Sequence, residues 1–554
     1  MFEPPNYKKI ILTILAVIAI VAIAVILLFT VPKIVDSSSS SDYQDTEYTP
    51  DAPETEESKE SESDDSAGTD STEAKKYVGI HARVDYATAL VMKDEANLVE
   101  NHSISLSMAQ NEKEGMEYII AAESKFNNLS CAISDLSDKD GNTIKSSLYF
   151  ADYTNVTRTM YPSSNEEKNK HGYYPDALLP YDGTSFVLEP HQSQTIYARF
   201  DTDFETVPGI YTGTISLLSN GKPINTCSIE INVWDLAYPE KTACKTAVNN
   251  WWDASLTGIP DDMVTFKKYY DFLLDNRLNG YYLPFNEYDE DGVEEYLNND
   301  RVNTCRVYEL TPAARSVLTS NEEWLKKAYY YPVDEPLSGE ALEEVRREYE
   351  LKQSAFPEVS MMTPFPEAIQ ANNGQNVFDY LKTYNKILCP NADLFRGEYL
   401  DKLQSIGSSP DTTLWWYVCG GQSLDSIDLL ASTPGLEKRI LFWQQYQNNV
   451  EGFLYWSSCY WQGLEYEETP TTDGILAYID KTTGEPIGTL GLEAVRDGIE
   501  DFQLLHMGEE ILGKDAVAPY VEAITTSITE WDGNVNNLMK QRNALAEAII
   551  AHRD

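Results

Sequence analysis

Residues 328–336 read AYYYPVDEP. An apolar, aromatic run stops at two adjacent carboxylates, Asp334 and Glu335, followed by a proline. Two readings compete. Asp caps helices well, and Pro336 suits the turn into the helical pattern that follows, although SGEALEEV carries its own cap candidate in Ser338. Alternatively, the run is a strand that delivers an acidic pair to a reaction site. The surrounding chain has to decide.

Downstream of Pro239, apolar runs alternate with helical patterns: KTAVNNWW before DDMVTFKKYYDFLLDNRL, GYYLPF, AYYYPV before SGEALEEVRREYELKQS, KILCP, TLWWYVC, and RILFWQQYQNN before VEGFLYWSSCYW. Repeated strand–helix units predict parallel strands with crossover helices. Residues 240–505 match the usual span of a (β/α)8 barrel, roughly 250 residues. Active sites of such barrels lie where strands end at their C-terminal side, and Asp334 and Glu335 fall there. Trp251, Trp415, Tyr417, Trp456 and Trp461 fall at equivalent places. They are the candidate sugar-binding wall, although each is also compatible with barrel core. Of Trp415 and Trp416, neighbours in one strand, one points inward and the other outward.

The region from Tyr77 to Pro239 reads differently. Short alternating runs are broken by Gly, Asn, Asp and Ser, and GIYTGTISLLSNGKPINTCSIEINVWDL reads as a hairpin. A β-sandwich is expected over 77–239. The segment 506–554 is expected to be helical, with YVEAITTSITEW and VNNLMKQRNALAEAIIAH at helical spacing.

The amino-terminal 35 residues are expected to anchor the chain. Ile10 to Val31 is apolar and long enough to cross a bilayer, and Lys8 and Lys9 precede it. The positive-inside rule then places the N-terminus in the cytoplasm and the body outside the cell. No A-x-A-like site follows to favour a cleaved signal peptide. Residues 36–76, rich in Ser, Glu, Asp and Thr, are expected to form a disordered acidic linker, because they cannot bury enough apolar surface to offset their conformational entropy.

Composition removes several functions. The net charge of −47 argues against a nucleic-acid partner, which needs a basic face. The seven cysteines include no CxxC pair, so zinc-ribbon spacing is absent. No histidine lies between His191 and His506, which removes a His-ligated metal or a Ser-His-Asp triad from the middle of the chain. No cofactor or metal is expected. Chemistry there falls to carboxylates, tyrosines, lysines or thiols, and abundant Tyr and Trp suit stacking on sugar rings.

Paired carboxylates in different environments perform glycoside hydrolysis. Adjacent residues of a regular strand point to opposite faces, so both reach one site only if the strand ends in a bend. Even then they do not flank a scissile bond from opposite sides. They suit a substrate that supplies its own nucleophile, the oxygen of a 2-acetamido group attacking C1.

These residues resemble glycoside hydrolase family 123 and the broader group sharing its catalytic domain. The carriers are YYYPVDEP, LWWYVC, RILFWQQYQNNVEGFLYW and LEAVRDGIEDFQLL, with NEKEG, GYYPDALLP and PGIYTGTISL in the N-terminal part. The resemblance implies retaining β-N-acetylgalactosaminidase chemistry by substrate assistance on an amino-sugar-containing glycan. Asp334 would orient the acetamido group and Glu335 would be the general acid/base. Two departures stand out: Gly491 replaces an arginine usual before LEAVRDG, and the 466–486 loop diverges where the family often carries YPG. RDGIED is expected to make structural salt bridges. The alternatives are a non-catalytic carbohydrate-binding surface protein, a glycosidase for a different sugar, or an adhesion protein, the last leaving the aromatic cluster without a role.

Overall fold

The computed structural model describes residues 79–157, 170–285, 288–366, 373–374, 376–420, 425–461 and 472–553. The expected anchor and acidic linker lie outside these residues. Among the described residues no helix is long and apolar enough to cross a membrane. The longest, Leu490–Leu512, carries Glu493, Arg496, Asp497, Glu500 and Asp501 buried along its length. The transmembrane element of the expected architecture therefore has no support in the structure.

The N-terminal strands are β1 (Ile80–Tyr86), β2 (Ser103–Gln110), β3 (Lys113–Ala122), β4 (Phe126–Ile133), β5 (Leu136–Ser137), β6 (Thr143–Val156), β7 (Gly172–Pro180), β8 (Phe186–Leu188), β9 (Gln192–Asp201), β10 (Gly209–Ser219) and β11 (Lys222–Ala237). The β10–β11 hairpin turns on Asn220 and Gly221, both at positive φ, as a tight two-residue hairpin connection requires. The expected sandwich of two sheets is corrected to one continuous, nearly closed sheet in the order β1-β3-β9-β6-β5-β10-β11-β2. The physical reason is β6. Its start pairs with β5 at Thr143 and Ile144, and from Lys145 onward it pairs with β9, so one long strand joins what would have been two layers. The free edges approach where Val84 N donates to Asn101 O at 3.0 Å and Asn101 Nδ2 donates to Val84 O at 2.9 Å. Val84, Leu106, Met108, Tyr118 and Ile231 fill the interior.

The second sheet is parallel throughout: β12 (Lys245–Val248), β13 (Cys305–Val307), β14 (Ala328–Tyr330), β15 (Ser360–Phe365), β16 (Ile387–Pro390), β17 (Thr413–Val418) and β18 (Gly452–Tyr455). Its order is β12-β18-β17-β16-β15-β14-β13. The expected eight-stranded barrel is thus corrected to seven strands. At the second position, GYYLPF makes no ladder; Gly280 forms a single bridge to Val248, and the path to β13 stays open. Pro284 lacks a backbone donor, and the Phe285 amide turns back onto Leu283 O instead of a neighbouring strand.

Alternation along β17 sorts its aromatics. Trp415 and Tyr417 point into the barrel with Tyr329, Met362, Cys389 and Leu454, while Trp416 points out toward the helices and donates to Gln445 Oε1 at 3.1 Å. The Trp415 ring fits only because Gly452 lies opposite; a Cβ there would sit 2.3 Å from the indole.

At the C-terminal end, Lys514–Glu522 and Val535–His552 are helical, but TTSITEW forms a short hairpin pairing Thr525 with Trp531, which corrects the helical expectation for that stretch. Its β-branched Thr and Ile favour extended backbone. RDGIED makes buried ion pairs. Arg439 bonds Asp501 through Nε at 2.7 Å and Glu114 of β3 through Nη2 at 3.0 Å, and Arg542 bonds Glu112 at 2.6 Å. These ties hold the first sheet against the C-terminal helices, and removing one member of such a set leaves a buried charge uncompensated.

Candidate active site

The helix after β14, Gly339–Ala355, is capped by Ser338, whose side chain accepts from Ala341 N at 3.0 Å. That releases Asp334 from the capping role. Tyr330 ends β14, and Glu335 has φ +39°, in the left-handed region that non-glycine residues avoid. The bend places both carboxylates on the same cavity, where a straight strand would separate them. Backbone strain of this kind collects at functional sites.

Each carboxylate has its own tyrosine. Tyr331 Oη donates to Asp334 Oδ1 at 2.6 Å, and Tyr417 Oη donates to Glu335 Oε1. Burial pushes both phenols well up, so they stay protonated and keep a proton to donate at neutral pH. Asp334 and Glu335 themselves are solvent-exposed.

The cavity has a volume of about 580 Å³, large enough for a monosaccharide and part of its aglycone. Arg306, Asn249, Tyr281, Trp456 and Asp473 complete its wall. The Arg306 guanidinium lies 4.5 Å from the Tyr331 ring centroid and 5.2 Å from that of Tyr281, and its Nη2 donates to Tyr331 O at 2.7 Å. It thereby clamps the chain three residues before Asp334. Cys419 also lines the cavity, but burial pushes its thiol up to about 12, so it is not a ready nucleophile. Among the described residues no cluster of His, Cys, Asp or Glu could hold a metal ion.

Of the residues singled out in the sequence, Asp334, Glu335, Tyr417 and Trp456 meet at this cavity. Trp251 is exposed and outside the lining; its carbonyl accepts from Cys459 Sγ at 3.3 Å. Trp415 is buried within the barrel, 5.4 Å from Tyr329, and Trp461 is buried 6.0 Å from Tyr478. Sequence reasoning missed Arg306 and Asp473. Arg306 sits in CRVY, whose strand pattern could have been found from its alternation. Asp473 belongs to the divergent 466–486 loop and carries no motif.

Two family profiles match the chain: "Glycoside hydrolase 123, catalytic domain" over residues 296–508 and "Glycoside hydrolase 123 N-terminal domain" over residues 90–219. No curated protein matches in sequence. Among solved structures, a family 123 glycoside hydrolase from Clostridium perfringens, described in connection with glycolipid glycan hydrolysis, is similar at a TM-score of 0.61 and 14% identity, over 85% of this chain and 98% of that one. A putative beta-galactosidase from Bacteroides fragilis (TM-score 0.26, 12% identity, 68% and 57% coverage) and a GH5 xyloglucanase from Bacteroides ovatus (TM-score 0.24, 10% identity, 74% and 100% coverage) resemble it far less. With both profiles covering more than half of its residues and a family 123 structure matching its fold, the chain belongs to glycoside hydrolase family 123.

Proposed function

We propose that the cavity hydrolyses β-linked 2-acetamido sugars of the N-acetylgalactosamine type with retention of configuration. The observation that carries this reading is the shared origin of the two acids. Asp334 and Glu335 approach from one strand end, held by different tyrosines, so they cannot act as a facing nucleophile and acid across the scissile bond. A substrate-supplied nucleophile removes that requirement.

In the first step Asp334 accepts the acetamido N–H and turns the carbonyl oxygen toward C1. That oxygen attacks C1 as the glycosidic bond breaks, and Glu335 gives its proton to the leaving oxygen. Asp334 steadies the cyclic cation that forms. In the second step Glu335, now ionised, takes a proton from water as the water oxygen attacks C1, which reopens the ring and restores both carboxyl groups.

The test compares aryl β-glycosides with and without the 2-acetamido group, with proton NMR of the first anomer released. Hydrolysis confined to acetamido substrates, with the β-anomer appearing first, is expected. Equal hydrolysis of plain glycosides would refute substrate assistance, and binding without any turnover would favour a carbohydrate-binding protein.

A further inference from the structure

Asp473 is a third carboxylate in the cavity, and the two-step reaction leaves it without a role. It reaches the site from the side opposite Asp334. Tyr455, the last residue of β18, donates its hydroxyl to Asp473 Oδ1 at 3.3 Å and accepts from Gly474 N at 2.8 Å. In the sheet, β18 and β14 are separated by β17, β16 and β15, so the two carboxylates face each other across the mouth of the barrel.

Its place beside Trp456 is fixed by Gly474. That residue has φ +76°, and a Cβ on it would lie 2.5 Å from the indole, so only glycine lets the chain next to Asp473 approach the ring this closely. The groups around Asp473 that lower its carboxyl are all neutral: the Trp456 side chain, the Tyr455 hydroxyl and the Gly420 and Gly474 amides. Burial outweighs them and raises its carboxyl above the usual carboxylate value. A pyranose lays its C–H face on an aromatic ring and directs its hydroxyls past the ring's edge, where such an acceptor reads them.

Resting on the reading of this cavity as a 2-acetamido sugar site, we propose that Asp473 determines specificity by accepting a hydrogen bond from the 4- or 6-hydroxyl of the sugar seated on Trp456. With C1 and C2 held at Asp334 and Glu335, the far side of the ring is what faces Asp473. The same carboxylate repels a sulfate or carboxylate at that position, which excludes sulfated and uronic sugars there.

The test is a cycle of two proteins, wild type and Asp473→Ala, against the methyl and aryl 2-acetamido β-galactosides and their 4-deoxy and 6-deoxy analogues. It is read twice, as kcat/KM and as binding to the same pair in the Glu335→Gln background, which needs no turnover. Wild type should prefer the hydroxylated sugar by about 10- to 100-fold over one of the deoxy analogues. Asp473→Ala should shrink that preference to within about threefold while weakening the parent sugar. Asp473→Asn, which keeps the shape and one acceptor, should fall between and should also admit a 6-sulfated substrate better than wild type. A deoxy penalty unchanged in Asp473→Ala would overturn the assignment. Coupling in binding without hydrolysis would overturn only the catalytic reading, and absence of binding by all of these sugars would overturn both.

Discussion

Tyr417 on β17 and Glu335 beyond β14 meet across two intervening strands, the phenol donating to Oε1 of the carboxylate. The bond orients Glu335 from the far side of its own bend. A hydrogen bond to a charged group is worth about 1.5–3 kcal/mol, so Tyr417→Phe should lower kcat by about 10- to 100-fold with KM changed far less. Steady-state kinetics on an aryl 2-acetamido galactoside decide it; an unaltered kcat would mean that Glu335 is positioned without Tyr417.

Glu335→Gln removes the proton donor and keeps the shape. Loss of general acid–base catalysis costs about 10²–10⁴-fold, and the exposed position predicts an unchanged melting temperature. The loss should be smallest with leaving groups that need no proton, such as dinitrophenolate, because only their departure is unassisted by Glu335. A uniform loss across leaving groups would remove the acid role.

The φ of +39° at Glu335 is a cost borne in the resting protein. A non-glycine residue in the left-handed region is less stable there by about 1–2 kcal/mol, and glycine relieves it. Glu335→Gly should therefore be inactive yet melt no lower than wild type, whereas substitutions at ordinary φ do not gain from glycine. A clear drop in melting temperature would show that the bend is not strained.

How much of this was legible in the sequence varies with the range of the forces involved. AYYYPV was readable as a strand because its neighbours alternate strand and helix, and the bend at DEP was readable from its proline. GYYLPF looked like a strand by the same rule. Only the finished sheet shows that Gly280 bridges Val248 alone and that the path to β13 stays open. The long strand β6 likewise alternates as a sandwich strand would, and nothing local says that it changes partner between Ile144 and Lys145. Trp456 and Trp461 have the same composition around them, yet one lines the cavity and the other the core, because side-chain direction past the end of β18 is set by packing. Asp473 was beyond reach, since its meaning comes from Trp456 and Tyr455 in three dimensions.

The ion pairs around RDGIED predict a pH response. Glu112, Glu114, Glu493, Asp497, Glu500 and Asp501 share one guanidinium fewer than their own number, those of Arg199, Arg277, Arg439, Arg496 and Arg542. Burial pushes Glu112 up to about 8 against the pull of Arg542, and pushes Asp497 up to about 8 against that of Arg496. Folded values above the unfolded ones, about 4.3 and 3.9, mean that the folded state holds these protons more tightly. Their contribution is full below about pH 4 and is lost as pH rises through about 8. Glu112→Gln cannot ionise, so its melting temperature relative to wild type should rise by about 2 °C or more between roughly pH 5.5 and 8.5. A constant difference across that range would show that Glu112 does not carry the extra proton.

Trp456 and Trp461 provide the last comparison, because they separate the sugar wall from the core within one segment. Trp456 lines the cavity with its ring 4.7 Å from that of Tyr460, while Trp461 is 2% exposed and packs on Tyr478, whose hydroxyl bonds Asp176 at 2.8 Å. Trp456→Ala removes the surface for a sugar ring and should raise KM by about 10-fold or more, since an aromatic contact is worth about 0.5–1.5 kcal/mol beyond its buried area. Trp461→Phe takes volume from the core and should lower stability by about 1–3 kcal/mol with KM unchanged. Kinetics and thermal unfolding on both variants decide the matter. A raised KM in Trp461→Phe with intact stability would move the sugar wall outward past the end of β18, and an unaltered KM in Trp456→Ala would remove the stacking surface on which the reading of Asp473 depends.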